Sequence, residues 1–160
     1  MISQYIEKNL ILLDDDSLDR QELFQKVALK LTKKGYVKEG FKEFLNNRED
    51  DYPTGLELGY SNVAIPHGDP SFVNHPFIMV VRLKESIIMN RMDDPEVSIP
   101  VKMLFILGLN SGENHLLILK TLMKKIQNEA FINEILNASS EEGIISLLSE
   151  KTEGKEHEKN

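Results

Sequence analysis

His67 is the residue whose neighbours best equip it for chemistry. It follows Val63-Ala64-Ile65-Pro66 and precedes Gly68, so a short apolar run is stopped by proline and hands an imidazole to a turn. Pro66 fixes its own φ and withholds a ladder donor, and Gly68 permits tight or left-handed backbone immediately afterwards. A side chain in that setting is presented at a strand end, not packed within it. His115 has a comparable place, behind Asn110-Ser111-Gly112 and the long apolar run Ile99 to Leu107. Both histidines fall just past the C-terminal ends of predicted core strands, the edge at which α/β sheets bind ligands. If those strands are neighbours, two imidazoles and the helix N-terminus around Gly112 to Asn114 converge on one cleft. Such a cleft suits a phosphoryl group: a neutral imidazole is a competent nucleophile toward phosphorus, and backbone N–H groups with a guanidinium such as Arg48 can neutralise the oxygens. The guanidinium fork is bidentate and permanently charged, which favours arginine over lysine for that task.

The remaining signatures are absent. His75, between Asn74 and Pro76, reads as a loop residue, and His157 falls in a charged tail. There is no His-Glu-x-x-His, and a zinc site made of His67, His115 and an acid such as Asp69 lacks a close-spaced ligand pair to anchor it. Gly55-Leu56-Glu57-Leu58-Gly59 lacks the Lys-Ser/Thr of a phosphate-binding loop. With no cysteine, disulfides, thiolate nucleophiles and cysteine-based metal sites are all removed. A net charge of −7 argues against a nucleic-acid surface, which needs clustered Lys and Arg. The expectation is a site that works without nucleotide, metal or organic cofactor.

The elements that must position these residues are those of one α/β domain. The chain has 160 residues, 41% of them hydrophobic, enough for one core; residues 1–149 are expected to form it and 150–160 a charged tail. Leu10 to Leu13 is a strand candidate, with Asp14-Asp15-Asp16-Ser17 as a helix start and Leu23, Phe24, Val27 and Leu31 at helical spacing until Gly35. A second helix is expected over about Lys38 to Arg48, with Phe41, Phe44 and Leu45 inward. Strands are expected at Val63 to Ile65, Phe77 to Leu83, Ile87 to Met89 and Ile99 to Leu107. Helices should then carry Leu116 to Met123 and Phe131 to Leu136. Ser139-x-x-Glu142 reads as a capping box opening a last helix through Leu148. Strands alternating with helices give an α/β sandwich. No run is long enough to cross a bilayer and Met1-Ile2-Ser3-Gln4 does not open a signal peptide, so a cytoplasmic protein is expected.

Leu10 to Arg20 together with Asp50 to Leu58 imitates a response-regulator receiver, in which an acidic pair follows the first strand and an aspartate ends the third. The residues before Asp50 and Asp51, Phe44 to Glu49, read as amphipathic helix, so the required strand is missing. The acidic run is not a calcium loop either, since the glycine and terminal glutamate of that pattern are absent.

Three segments together resemble a known family: Arg48-Glu49-Asp50-Asp51-Tyr52-Pro53-Thr54-Gly55-Leu56, Val63-Ala64-Ile65-Pro66-His67-Gly68, and Gly112-Glu113-Asn114-His115-Leu116. They are similar to the enzyme IIA component of the bacterial sugar phosphotransferase system, mannitol/fructose class. Tyr52-Pro53-Thr54-Gly55 and Met92-Asp93-Asp94-Pro95-Glu96-Val97 look most like its galactitol-type subunit. The resemblance implies a mixed β-sheet flanked by helices on both faces, the phosphotransferase/anion transport protein-like sandwich. It also implies a relay in which phospho-HPr donates to His67 and the phosphoryl group passes to a cysteine of enzyme IIB, the membrane being involved only through the permease subunit. By position, Arg48 matches the family's active-site arginine and His115 its second histidine. The family also contains regulatory members that act by phosphorylation-dependent protein binding. A cleft that must meet both HPr and IIB is expected to be shallow, with Leu56, Val63, Phe72 and Leu116 as its apolar rim.

Overall fold

A computed structural model describes residues 2–67, 70–110 and 112–150. Strand β1 (Ile11–Asp15) is followed by helices α1 (Arg20–Lys33) and α2 (Phe41–Asp51), then by four consecutive strands, β2 (Gly55–Glu57), β3 (Asn62–Ala64), β4 (Phe77–Asn90) and β5 (Ser98–Gly108). Helices α3 (Gly112–Ile126), α4 (Glu129–Asn137) and α5 (Glu141–Ser149) close the chain, so the expected alternation of strands and helices is not found. The strands form one mixed sheet in the order β1-β4-β5-β3-β2. Strands β1 and β4 are parallel, β4 and β5 antiparallel, β5 and β3 parallel, and β3 and β2 antiparallel.

Both faces of the sheet are covered, which is why β4 and β5 read as nearly unbroken apolar runs. Along β4, Phe77, Met79 and Val81 pack with Leu23, Phe24 and Leu31 of α1 and Phe41 and Leu45 of α2. Ile78 and Val80 point the other way, into a second cluster with Ile118 and Leu122 of α3, Ile132 and Ile135 of α4, and Ile144 and Leu148 of α5. Each fully buried side chain of this size contributes about 1.5–3 kcal/mol. The anticipated mixed sheet with helices on both faces is therefore the architecture found.

Several local expectations are corrected. The acidic run does not open a helix: β1 continues through Asp15, and α1 starts at Arg20 with Asp19 as its cap, accepting from Glu22 N–H at 2.8 Å. The acids are held by partners instead, Asp15 by Lys26 at 3.1 Å and Asp14, at φ 55°, by Arg82 at 3.3 Å. Helix α2 begins at Phe41, not Lys38, because Gly40, at φ 93°, is left-handed and breaks any helix running through it. Ile87 to Met89 is not a separate strand but the far part of β4, beyond an irregularity between Arg82 and Ile87. The last helix is capped by Ser140, whose Oγ accepts from Gly143 N–H at 3.1 Å, and not by Ser139. Residues 151–160, including His157 and nearly all of the expected tail, lie outside the described residues, as do Gly68, Asp69 and Ser111.

Strand direction decides where chemistry can gather. Strand β3 is parallel to β5, which runs against β4 and β1, so the C-terminal end of β3 and the acidic end of β1 lie at opposite edges of the sheet. The acidic run is thereby separated from His67, and Asp50 lies in α2, paired with Arg20 at 2.6 Å. No strand ends at Asp50 or Asp51, so the receiver reading is overturned.

Candidate active site

The two histidines meet because β3 and β5 are neighbours. Pairing of Val63 with Met103 and of Ala64 with Leu104 sets the register. The contact continues beyond the strand, where Leu107 N–H donates to Pro66 O at 2.9 Å. His67 emerges at that edge, half-buried, and His115 reaches it from the first turns of α3. Their ring centroids are 5.8 Å apart in an edge-to-face arrangement with an interplanar angle of 63°.

His67 Nδ1 lies 2.7 Å from the carbonyl oxygen of Ile65. A carbonyl only accepts, so Nδ1 carries the proton and Nε2 keeps the ring's lone pair. Burial lowers the His67 pKa below its ordinary 6.5, the Ile65 carbonyl opposes this by favouring the charged ring, and the positive charges of His115 and Arg48 add to the lowering. The neutral, nucleophilic form is thus favoured near neutral pH.

Arg48 stands in the last turn of α2, its guanidinium carbon 4.7 Å from the centroid of the Tyr52 ring. Stacking of this kind holds a guanidinium by cation–π attraction while leaving its edge N–H groups free to bond. Tyr52 is 64% exposed, so the pair lies at the surface. Arg48, His67 and His115 accordingly come to one end of the sheet.

The rim differs in part from expectation. Leu116, 67% exposed, fits it, and Leu117 and Tyr52 are also exposed beside the site residues. Val63 is fully buried in the core and Phe72 stacks on Phe44 at 4.7 Å between centroids, so neither is a rim residue. A groove of about 250 Å³ opens elsewhere, between α1 and the start of α2 around Leu29, Thr32 and Lys42, and includes none of the three site residues.

Two buried polar residues went unrecognised in the sequence. Glu49 and Thr54 are only 3% and 4% exposed, and Glu49 accepts from Thr54 N–H at 2.8 Å and from Thr54 Oγ1 at 3.1 Å. A signal existed: Glu49 follows Phe41 and Leu45 at four-residue intervals on the inward stripe of α2.

A doubly covered mixed sheet of this kind is the fold of solved enzyme IIA proteins. The fold matches nitrogen regulatory protein IIA-Ntr from Neisseria meningitidis, with a TM-score of 0.78 and 26% identity over 92% of this chain and 99% of that one. It also matches a structure described as a complex of enzyme IIAMTL and phosphorylated enzyme IIBMTL from Escherichia coli, with a TM-score of 0.73 and 20% identity over 90% and 96% of the two chains. Residues 4–151 match the family described as phosphoenolpyruvate-dependent sugar phosphotransferase system, EIIA 2, and the chain belongs to this family of phosphotransferases. Among relatives, the fructose-specific EIIA component of Haloferax volcanii is 32% identical over 68% of each chain. The fructose-specific EIIABC component of Bacillus subtilis is 27% identical over 93% of this chain, which spans only 23% of that protein. The galactitol-specific EIIA component of Escherichia coli is 24% identical over 74% of this chain and 79% of its own length. Relatives named for different sugars therefore share the domain.

Proposed function

We propose that the chain is a cytoplasmic phosphoryl carrier of a sugar phosphotransferase system, accepting phosphate from phospho-HPr on Nε2 of His67 and passing it to a cysteine of enzyme IIB. The observation that carries this reading is the His67 Nδ1–H bond to Ile65 O, which leaves Nε2 as the nucleophilic nitrogen. In the first half-reaction the P–N bond on HPr breaks as a P–N bond to Nε2 forms. The Nδ1 proton stays in place, and the Ile65 carbonyl stabilises the positive charge that develops on the ring. In the second, that bond breaks as a P–S bond forms on IIB. Arg48 and His115 stabilise the oxygens of the group in flight, and no step calls for a cofactor. Residues 1–149 form the working domain, and the membrane is reached only through the permease. Galactitol or a related sugar is the cargo suggested by Tyr52-Pro53-Thr54-Gly55 and Met92 to Val97.

The test is to incubate the protein with enzyme I, HPr and phosphoenolpyruvate and map the modified residue. An acid-labile, base-stable label should appear on His67 and vanish in His67→Ala. His115→Ala should still be labelled at His67, with transfer slowed about ten- to a thousand-fold, the range for one lost oriented donor. Full labelling of His67→Ala would overturn the assignment. The likeness to a nitrogen regulatory protein supports a second reading, in which the phosphorylation state governs binding to another protein. A labelled chain that cannot pass its phosphate to any co-encoded IIB would favour it.

A further inference from the structure

We infer that Glu49 and Thr54 are positioning residues for His67, acting through the backbone of Ile65; this rests on the reading of His67 as the phosphoryl acceptor. Burial raises the Glu49 pKa, opposed by the bonds from Thr54; in its ionised form the carboxylate only accepts, so the Thr54 hydroxyl proton points to it. That leaves the Thr54 oxygen as an acceptor, and Ile65 N–H donates to it at 3.2 Å, sharing itself with Thr54 O at 3.3 Å. Glu49 thereby fixes the direction of the whole chain of bonds. A glutamine there could present N–H instead and reverse the hydroxyl.

The far end of the same residue is what matters for chemistry. Ile65 lies just beyond β3, where regular ladder pairing has ended, and its carbonyl holds His67 Nδ1–H. On the other side Pro66 O is fixed by Leu107 N–H at 2.9 Å. Residues 65–67 are therefore pinned between the lead-in to β2 and the end of β5, and Thr54 supplies one of the two pins. Burying a carboxylate merely to fill space is costly, and an apolar residue of similar volume would serve a purely structural role better. Glu49 is next to Arg48 in the same helical turn, so one turn of α2 carries both the guanidinium stacked on Tyr52 and the buried carboxyl group.

The test uses Thr54→Val, which removes the hydroxyl at nearly constant shape, Thr54→Ser, which restores it, and Glu49→Gln, which keeps the volume if the valine variant folds poorly. Ring ¹⁵N shifts of unphosphorylated His67 report the tautomer, and labelling by phospho-HPr reports the rate. Thr54→Val and Glu49→Gln should convert a single Nδ1–H tautomer into a mixture and slow labelling about ten- to a hundredfold, as expected for a mispositioned nucleophile. Thr54→Ser should recover both. Folded Thr54→Val and Glu49→Gln proteins with wild-type ring shifts and rates would overturn the inference. Failure of the wild-type chain to be labelled at His67 would instead overturn the functional reading, while the ring shifts would still decide whether Glu49 and Thr54 set the tautomer.

Discussion

At the scale of single residues, the proposed role of His67 turns on its protonation. Burial, offset in part by the Ile65 carbonyl and reinforced by His115 and Arg48, holds its pKa below 6.5. The unfolded chain therefore binds more protons between the folded midpoint and 6.5. The stability this group contributes is complete above 6.5 and is lost as the pH falls through the folded midpoint. An NMR titration should place the His67 midpoint below 6.5, and Arg48→Gln should raise it by removing a repelling charge. An unchanged midpoint in that variant would mean that Arg48 does not act electrostatically on the ring. The meeting of His67 and His115 was legible in the sequence because proline, glycine and the ends of apolar runs punctuate the chain where imidazoles are displayed. Glu49 was not, since a glutamate on a helix is ordinarily solvated and only its register with Phe41 and Leu45 says otherwise.

At the scale of elements, the part least visible in the sequence is β2. Gly-Leu-Glu has no β-branched residue, and its strand conformation comes from partners distant in the chain. Gly55 pairs with Ala64, its carbonyl accepts from Met92 N–H at 2.8 Å, and it bridges Arg91. A Cβ at Gly55 would lie 2.5 Å from the backbone oxygen of Asn90 and 3.3 Å from Ile99 Cδ1. Backbone cannot swing aside as a side chain can. Gly55→Ala should therefore cost about 1–3 kcal/mol, the usual range for overpacking, read as a lower urea midpoint at unchanged slope. An unaltered midpoint would show that the β4–β5 hairpin gives way easily. Helix ends fared better where their signals were local: Gly35, at φ 83°, stops α1 as its position suggested. They fared worse at Asp14 to Asp16, where strand pairing and the partners Lys26 and Arg82 outweighed the capping preference of aspartate.

At the scale of the whole molecule, the fold class could be read from apolar strand runs with helices collected at both ends of the chain, but the strand order could not. In the order β1-β4-β5-β3-β2 two pairings, β4–β5 and β2–β3, join consecutive strands, but β1–β4 and β3–β5 join segments far apart in the chain, and no local pattern encodes which edges meet. That order makes neighbours of the strands preceding His67 and His115. It also distributes the site over the architecture: Arg48 belongs to α2, packed on one face of the sheet, His115 to α3 on the other, and His67 to the sheet edge between them. On the proposed function, a phosphoryl group gripped by all three is a cross-tie between two helical layers that pack on opposite faces of the sheet. Amides of α2 and α3 should then exchange more slowly, and together, in the phosphorylated protein than in the free one; unchanged exchange in either helix would leave the layers independent. If slowed exchange appears in both helices, the loading of one nitrogen stiffens the entire sandwich, and a partner touching only its outer helices has a means of sensing whether the proposed carrier is full.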